Sequence, residues 1–166
     1  MAIKGHETEK FLRDMHEVYR KQGRALLRKT GPETYRRWDS KLNRKILGEK
    51  RGPVDFEGII LLEGIGRYVC FDAKQTQRAR RMSLHKDHVP EHQKAYLISK
   101  SDFGGVAFLY VSQKIDAVVT NFLYPVIKGQ GSVLFGKSIP FTDMIKLPDS
   151  GDWLDWVVEN VWMWDV

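Results

Sequence analysis

Cysteine is almost missing from this chain: Cys70 stands alone among 166 residues. A single thiol excludes an intrachain disulfide and points to a reducing cytoplasm. Long apolar runs are absent too, and none approaches the ~20 residues of a membrane-spanning helix. The opening Met1-Ala2-Ile3-Lys4-Gly5-His6-Glu7 turns polar and acidic at once, unlike a signal peptide. The five histidines show no zinc-finger spacing with a cysteine pair. Internal repeats and low-complexity tracts are lacking. What remains, 42% hydrophobic and 29% charged residues, describes a globular protein of one domain over residues 1–166 and argues against disorder.

Charge is present in excess of one sign, net +6 with a pI near 9.4, and it is segregated. Residues 1–52 hold 15 basic and 7 acidic side chains, and residues 76–100 hold 6 and 2. Between them, residues 53–75 hold 2 basic and 4 acidic, and residues 101–166 hold 4 and 8. An acidic knot between two basic segments suits a polyanion gripped by the flanks, with cations in the knot.

Residues 6–29 carry Phe11, Leu12, Met15, Val18, Tyr19 and Leu26 at helical spacing, which predicts one long helix stopped by Gly31-Pro32. Residues 30–52 read as a basic arm in which short helical pieces are possible. Val54–Leu61 and Arg67–Lys74 read as two strands of a hairpin, separated by a glycine-containing turn. A basic loop over 76–88 precedes a helix with Pro90 in its first turn, running to about Lys100. Val106–Val111 reads as a strand buried on both faces, Ala117–Val126 as another, and a Trp-rich helix starts near Trp153. The order predicts an α/β fold with a mixed central sheet flanked by helices.

The chemistry concentrates in Asp55 and, after 16 intervening residues, Asp72-Ala73-Lys74. Strand alternation puts Asp72 and Lys74 on one face and Ala73 on the other. A hairpin partner brings Asp55 alongside. Two carboxylates on adjacent strands, with the backbone carbonyl of Ala73, make an oxygen-rich pocket for Mg²⁺, with Mn²⁺ as a substitute. A lysine two residues beyond the second carboxylate can orient the attacking water, while a cation lowers its pKa. A lysine bridging two aspartates with no metal is the structural alternative.

The run Gly52-Pro53-Val54-Asp55-Phe56-Glu57-Gly58-Ile59, followed by Gly66-Arg67-Tyr68-Val69-Cys70-Phe71-Asp72-Ala73-Lys74-Gln75-Thr76, resembles the core of RecU-type Holliday-junction resolvases. So do Val89-Pro90-Glu91-His92-Gln93, Gly104-Gly105-Val106-Ala107-Phe108, and Gly5, Glu9, Leu12, Glu17 and Tyr19 in the first helix. The likeness spans residues 5–30 and 53–112. It implies a PD-(D/E)XK nuclease with a restriction-endonuclease-like core, two metals per site, a homodimer, and symmetric nicking of four-way DNA junctions. By position it gives Asp55, Asp72 and Lys74 the catalytic places, and Glu9 the place of a helix carboxylate completing the metal site. The chain departs from the family in three places: Asp72 replaces the usual Glu, 33–52 is short for a projecting stalk, and 127–166 has no counterpart. Around the centre, Arg51, Thr76, Arg78, Arg80 and Arg81 are candidate DNA contacts, and Gln93 is placed to hold the site. The acidic Trp-rich tail reads as packing or dimer contact. The rivals are a PD-(D/E)XK nuclease without junction preference and a non-catalytic nucleic-acid-binding module.

Overall fold

The computed structural model describes residues 6–31, 33–50 and 52–165. The first helix, α1 (His6–Lys21), opens with Glu7 and Glu9 and closes with Arg20 and Lys21, charges that complement its dipole. It ends eight residues before the predicted stop, because Gly23 takes a left-handed φ of +68°. The chain then forms β1 (Ala25–Lys29) instead of more helix. The buried stripe of α1 is Thr8, Leu12, His16 and Tyr19; Phe11 and Val18, expected inside, are exposed.

The basic arm is also strand, not helix. β2 (Glu33–Asp39) and β3 (Arg44–Lys50) pair antiparallel in a sheet of their own. Thr34, Tyr35, Trp38 and Ile46 favour strand. The Asp39 carboxylate caps the turn by accepting the Lys41 and Leu42 N–H groups at 2.9 and 3.1 Å.

The expected hairpin follows as β4 (Phe56–Leu62) and β5 (Ile65–Thr76). Its two-residue turn puts Glu63 and Gly64 at φ of +50° and +82°, the twist that hairpins require. After β6 (Arg81–Ser83), Pro90 caps α2 (Glu91–Asp102). Gly104, at φ +82°, turns the chain into β7 (Val106–Ile115), which runs parallel to β5. β8 (Val118–Pro125) returns antiparallel; β9 (Ser138–Pro140) pairs with β6, and β10 (Ile145–Lys146) with β8. The chain ends in α3 (Leu154–Glu159) and a 3₁₀ turn over Val161–Trp164.

The result is α/β, with a mixed six-stranded sheet in the order β1-β4-β5-β7-β8-β10 and three helices, in keeping with a restriction-endonuclease-like core. Alternation along β5 divides the core. Val69 and Phe71 face α1 and the C-terminal segment, in a cluster with Leu12, Tyr19, Phe56, Phe108, Trp153 and Trp164. Phe71 stacks on Phe108 at 4.6 Å and on Phe56 at 5.2 Å, and Trp153 meets Phe71 edge-on at 5.2 Å. The Trp164 indole N–H reaches the carbonyls of Val126 (3.1 Å) and Ala107 (3.2 Å). Trp153 and Trp164 therefore belong to the core, as the packing reading expected. Cys70 faces the other way, with Leu97, Leu109, Val111 and Phe122 under α2. β7 is buried on both faces from Val106 to Gln113, as its composition predicted.

Candidate active site

Register builds the site. Phe56 opposes Phe71 at the start of β4, so Asp55, the residue before it, lies beside Asp72 and Ala73. The Asp55 backbone carbonyl accepts the Thr30 N–H at 2.8 Å, and its Oδ2 accepts the Ala73 N–H at 2.9 Å. The side chain thus stands where the next rung of the ladder would be. In a strand, the N–H and C=O of one residue leave by the same edge. The Ala73 carbonyl therefore emerges beside Asp55, past the point where β4 begins.

Asp72 is fully buried on the face opposite Phe71. Lys74, two residues on, brings Nζ to 2.5 Å from Asp72 Oδ2 and donates to Gln93 Oε1 at 3.1 Å. Lys74 is thus the ion-pair partner of Asp72 Oδ2, and Oδ1 has no hydrogen-bond partner among the described residues. Burial pushes the Asp72 carboxyl well above the usual carboxylate range; Lys74 opposes this and the neighbouring Asp55 charge adds to it.

A cleft opens over these groups. Two adjoining cavities, of about 440 and 500 Å³, share Glu9, Asp55, Lys74, Asp87 and His88 in their walls. Glu9 enters from α1, but its carboxylate is paired with Lys29. Among the described residues, no three His, Cys, Asp or Glu side chains converge as a ligand set. The donors that do meet are two carboxylates and a carbonyl. Asp72 Oδ1, buried and without a donor, and Oδ2, in its ion pair with Lys74, fit a hard divalent cation, which would take up unshared lone pairs and offset the cost of their burial.

The remaining expected residues divide by surroundings. Arg78 and Arg80 are exposed on the loop leaving β5 and have no ion-pair partner among the described residues. Arg81 donates to the Ser138 hydroxyl (2.7 Å) and carbonyl (3.2 Å). Thr76 spends its hydroxyl on the Arg78 N–H at 3.2 Å. Arg51 lies outside the described residues. Asp87, His88, Lys29 and Thr30 line the cleft without having been singled out. Asp87 and His88 carried one signal, an acid and an imidazole inside an otherwise basic loop.

With this geometry in place, comparison with known families is decisive: the sequence profile of recombination protein U matches residues 3–127. The chain belongs to the recombination protein U (RecU) family. No curated protein matches it. The RecU match takes in α1, the basic hairpin, the Asp55–Lys74 centre and the sheet through β8. The tail that carries Trp153 and Trp164 falls beyond it.

Proposed function

We propose that this protein is a metal-dependent DNA endonuclease that resolves four-way junctions by phosphodiester hydrolysis. One observation carries the reading: Asp55 and Lys74 line one cleft, with Asp72 buried against Lys74 beneath it, in a chain of a recombination family. Asp55, Asp72 and the Ala73 carbonyl would hold Mg²⁺ or Mn²⁺, and Glu9 would complete the shell on leaving Lys29. Bound there, a divalent cation supplies a lowered water pKa and positive charge opposite the phosphate. Lys74, steadied by Gln93, directs its ammonium at the same pocket, where it orients the attacking water and meets the charge that develops on the phosphate. Arg78 and Arg80 hold the DNA backbone beside the cut. A four-way junction has two-fold symmetry, so a homodimer would place two centres for paired nicks.

The test is a labelled four-way junction incubated with and without Mg²⁺, beside linear duplex and flap substrates, with Asp72→Asn as control. Metal-dependent cutting of the junction in preference to the others, lost in Asp72→Asn, is expected. Equal cutting of every substrate would make it a nuclease without junction preference. Binding without cutting in Mg²⁺ and Mn²⁺ would make it a binding module.

A further inference from the structure

The loop that leaves the catalytic strand is irregular over residues 77–80, yet four of its backbone groups are tied. Gln113 lies on β7 directly beside Thr76, the last residue of β5. Its side chain is buried, and Nε2 donates to two successive loop carbonyls, Arg78 O at 2.8 Å and Ala79 O at 3.2 Å. With two carbonyls as neighbours, only the amide NH₂ can face them, which fixes the rotamer. The Thr76 hydroxyl takes the Arg78 N–H, and the Phe141 N–H donates to Arg80 O at 3.1 Å. Arg81 is spent on Ser138. Two arginine side chains are left over, Arg78 and Arg80, both exposed, with Arg78 in the wall of the catalytic cleft.

We infer that Gln113 is a positioning residue for DNA: it fixes the 77–80 backbone so that Arg78 and Arg80 present their guanidinium groups to phosphates beside the cut. This rests on the nuclease reading and assigns its phosphate grip to a residue that touches no DNA. The physical reason is entropic. A loop already ordered loses less freedom when it binds, so each arginine contact retains more of its worth. Gln113 reaches the substrate only through the arginines, so its effect vanishes when they are gone.

That dependence gives the test. Junction affinity is measured without divalent metal over a range of salt, for wild type, Gln113→Met, Gln113→Glu, Arg78→Ala/Arg80→Ala, and the combination with Gln113→Met. Methionine keeps the bulk and removes the donor; glutamate sets a carboxylate against the two carbonyls. We expect Gln113→Met to weaken binding about tenfold and to lower the salt slope by about one to two phosphates. Gln113→Glu weakens it further, with thermal unfolding of both variants showing a folded chain. In the Arg78→Ala/Arg80→Ala background, Gln113→Met adds nothing. At saturating junction in Mg²⁺, the maximal cutting rate of Gln113→Met stays within about twofold of wild type, because the grip is a binding term. An unchanged salt slope, or the same tenfold loss in the background lacking both arginines, overturns the inference while the nuclease reading stands. A wild type that binds junctions and never cuts overturns that reading, and this one with it.

Discussion

The two faces of the central sheet each bury an ionisable side chain, His16 on one and Asp72 on the other, in different surroundings. On the aromatic face, His16 is surrounded by Phe56 (4.9 Å), Phe71 (5.7 Å), Trp153 (6.0 Å) and Tyr19 (6.1 Å), and its Nε2 has no partner. Burial alone drives its pKa down to about 4, so it sits there neutral. On the other face Asp72 is at least as deeply buried, but it lies beside Lys74 and Asp55, which line the cleft. The aromatic face resolves its ion by discharging it. On the cleft face burial likewise favours the neutral form of Asp72, but the Lys74 ammonium beside it opposes that shift, and Oδ1 is left without a donor. Burial is therefore not the mark of the candidate site; burial beside other ionisable groups is.

The comparison breaks most severely at Asp72. Asp72→Asn is expected to slow junction cutting by at least about a thousandfold, roughly 4 kcal/mol in the barrier, since it removes charge where the cation would bind. The same variant should unfold at no lower a temperature than wild type. Mg²⁺ should raise the unfolding temperature of wild type and not of Asp72→Asn, because a ligand stabilises only the fold that binds it. Scanning calorimetry with and without Mg²⁺ checks both; an equal shift in the two proteins removes Asp72 from the metal site.

On the opposite face, Trp153→Ala is expected to cost about 3–4 kcal/mol through the cavity left among Phe71, Phe108 and His16, as read by urea unfolding. His16 gives a comparable but pH-dependent effect. Its folded-state pKa, about 4, lies below the unfolded value of 6.5, so the unfolded chain takes the proton first. The stability that neutral His16 allows is fully present above pH 6.5 and is lost as pH falls toward 4, by up to about 3 kcal/mol. The stabilities of wild type and His16→Leu, measured at pH 7.5, 5.5 and 4.5, should diverge by most of that amount over this range; parallel pH dependence would mean that the ring is not buried neutral. The smallest expected effect is Gln93→Ala. Losing one hydrogen bond to Lys74 should slow cutting about tenfold with little change in junction affinity.

Much of this arrangement could be read before any coordinates. The β4–β5 hairpin was legible because strand-favouring residues flank a turn with Gly64 and Gly66, and alternation alone put Asp72 and Lys74 on one face. β7 announced itself by an unbroken apolar run. β1 stayed hidden because Leu26 prolongs the helical spacing of α1, and only the left-handed Gly23 reveals the break. The basic arm gave no hydrophobic period to read, so its strand propensities lost to its charge. His16 was invisible as a core residue, since the stripe was drawn through Phe11 and Val18. Gln113 offered no local signal at all, because its partners, Arg78 and Ala79, are brought to it by the parallel pairing of β5 with β7.

Because Asp55 takes the Ala73 N–H just where β4 has yet to begin, the candidate centre has no adjustable mounting of its own. Slide β5 past β4 by one position and Phe71 would turn into the cleft while Asp72 met Trp153. A one-residue insertion at Glu63–Gly64, the far end of the hairpin, should therefore disable the centre as surely as changing a carboxylate. Descendants of this chain are left free to vary the arm and the loops around the cleft, and bound to preserve the length of one tight turn.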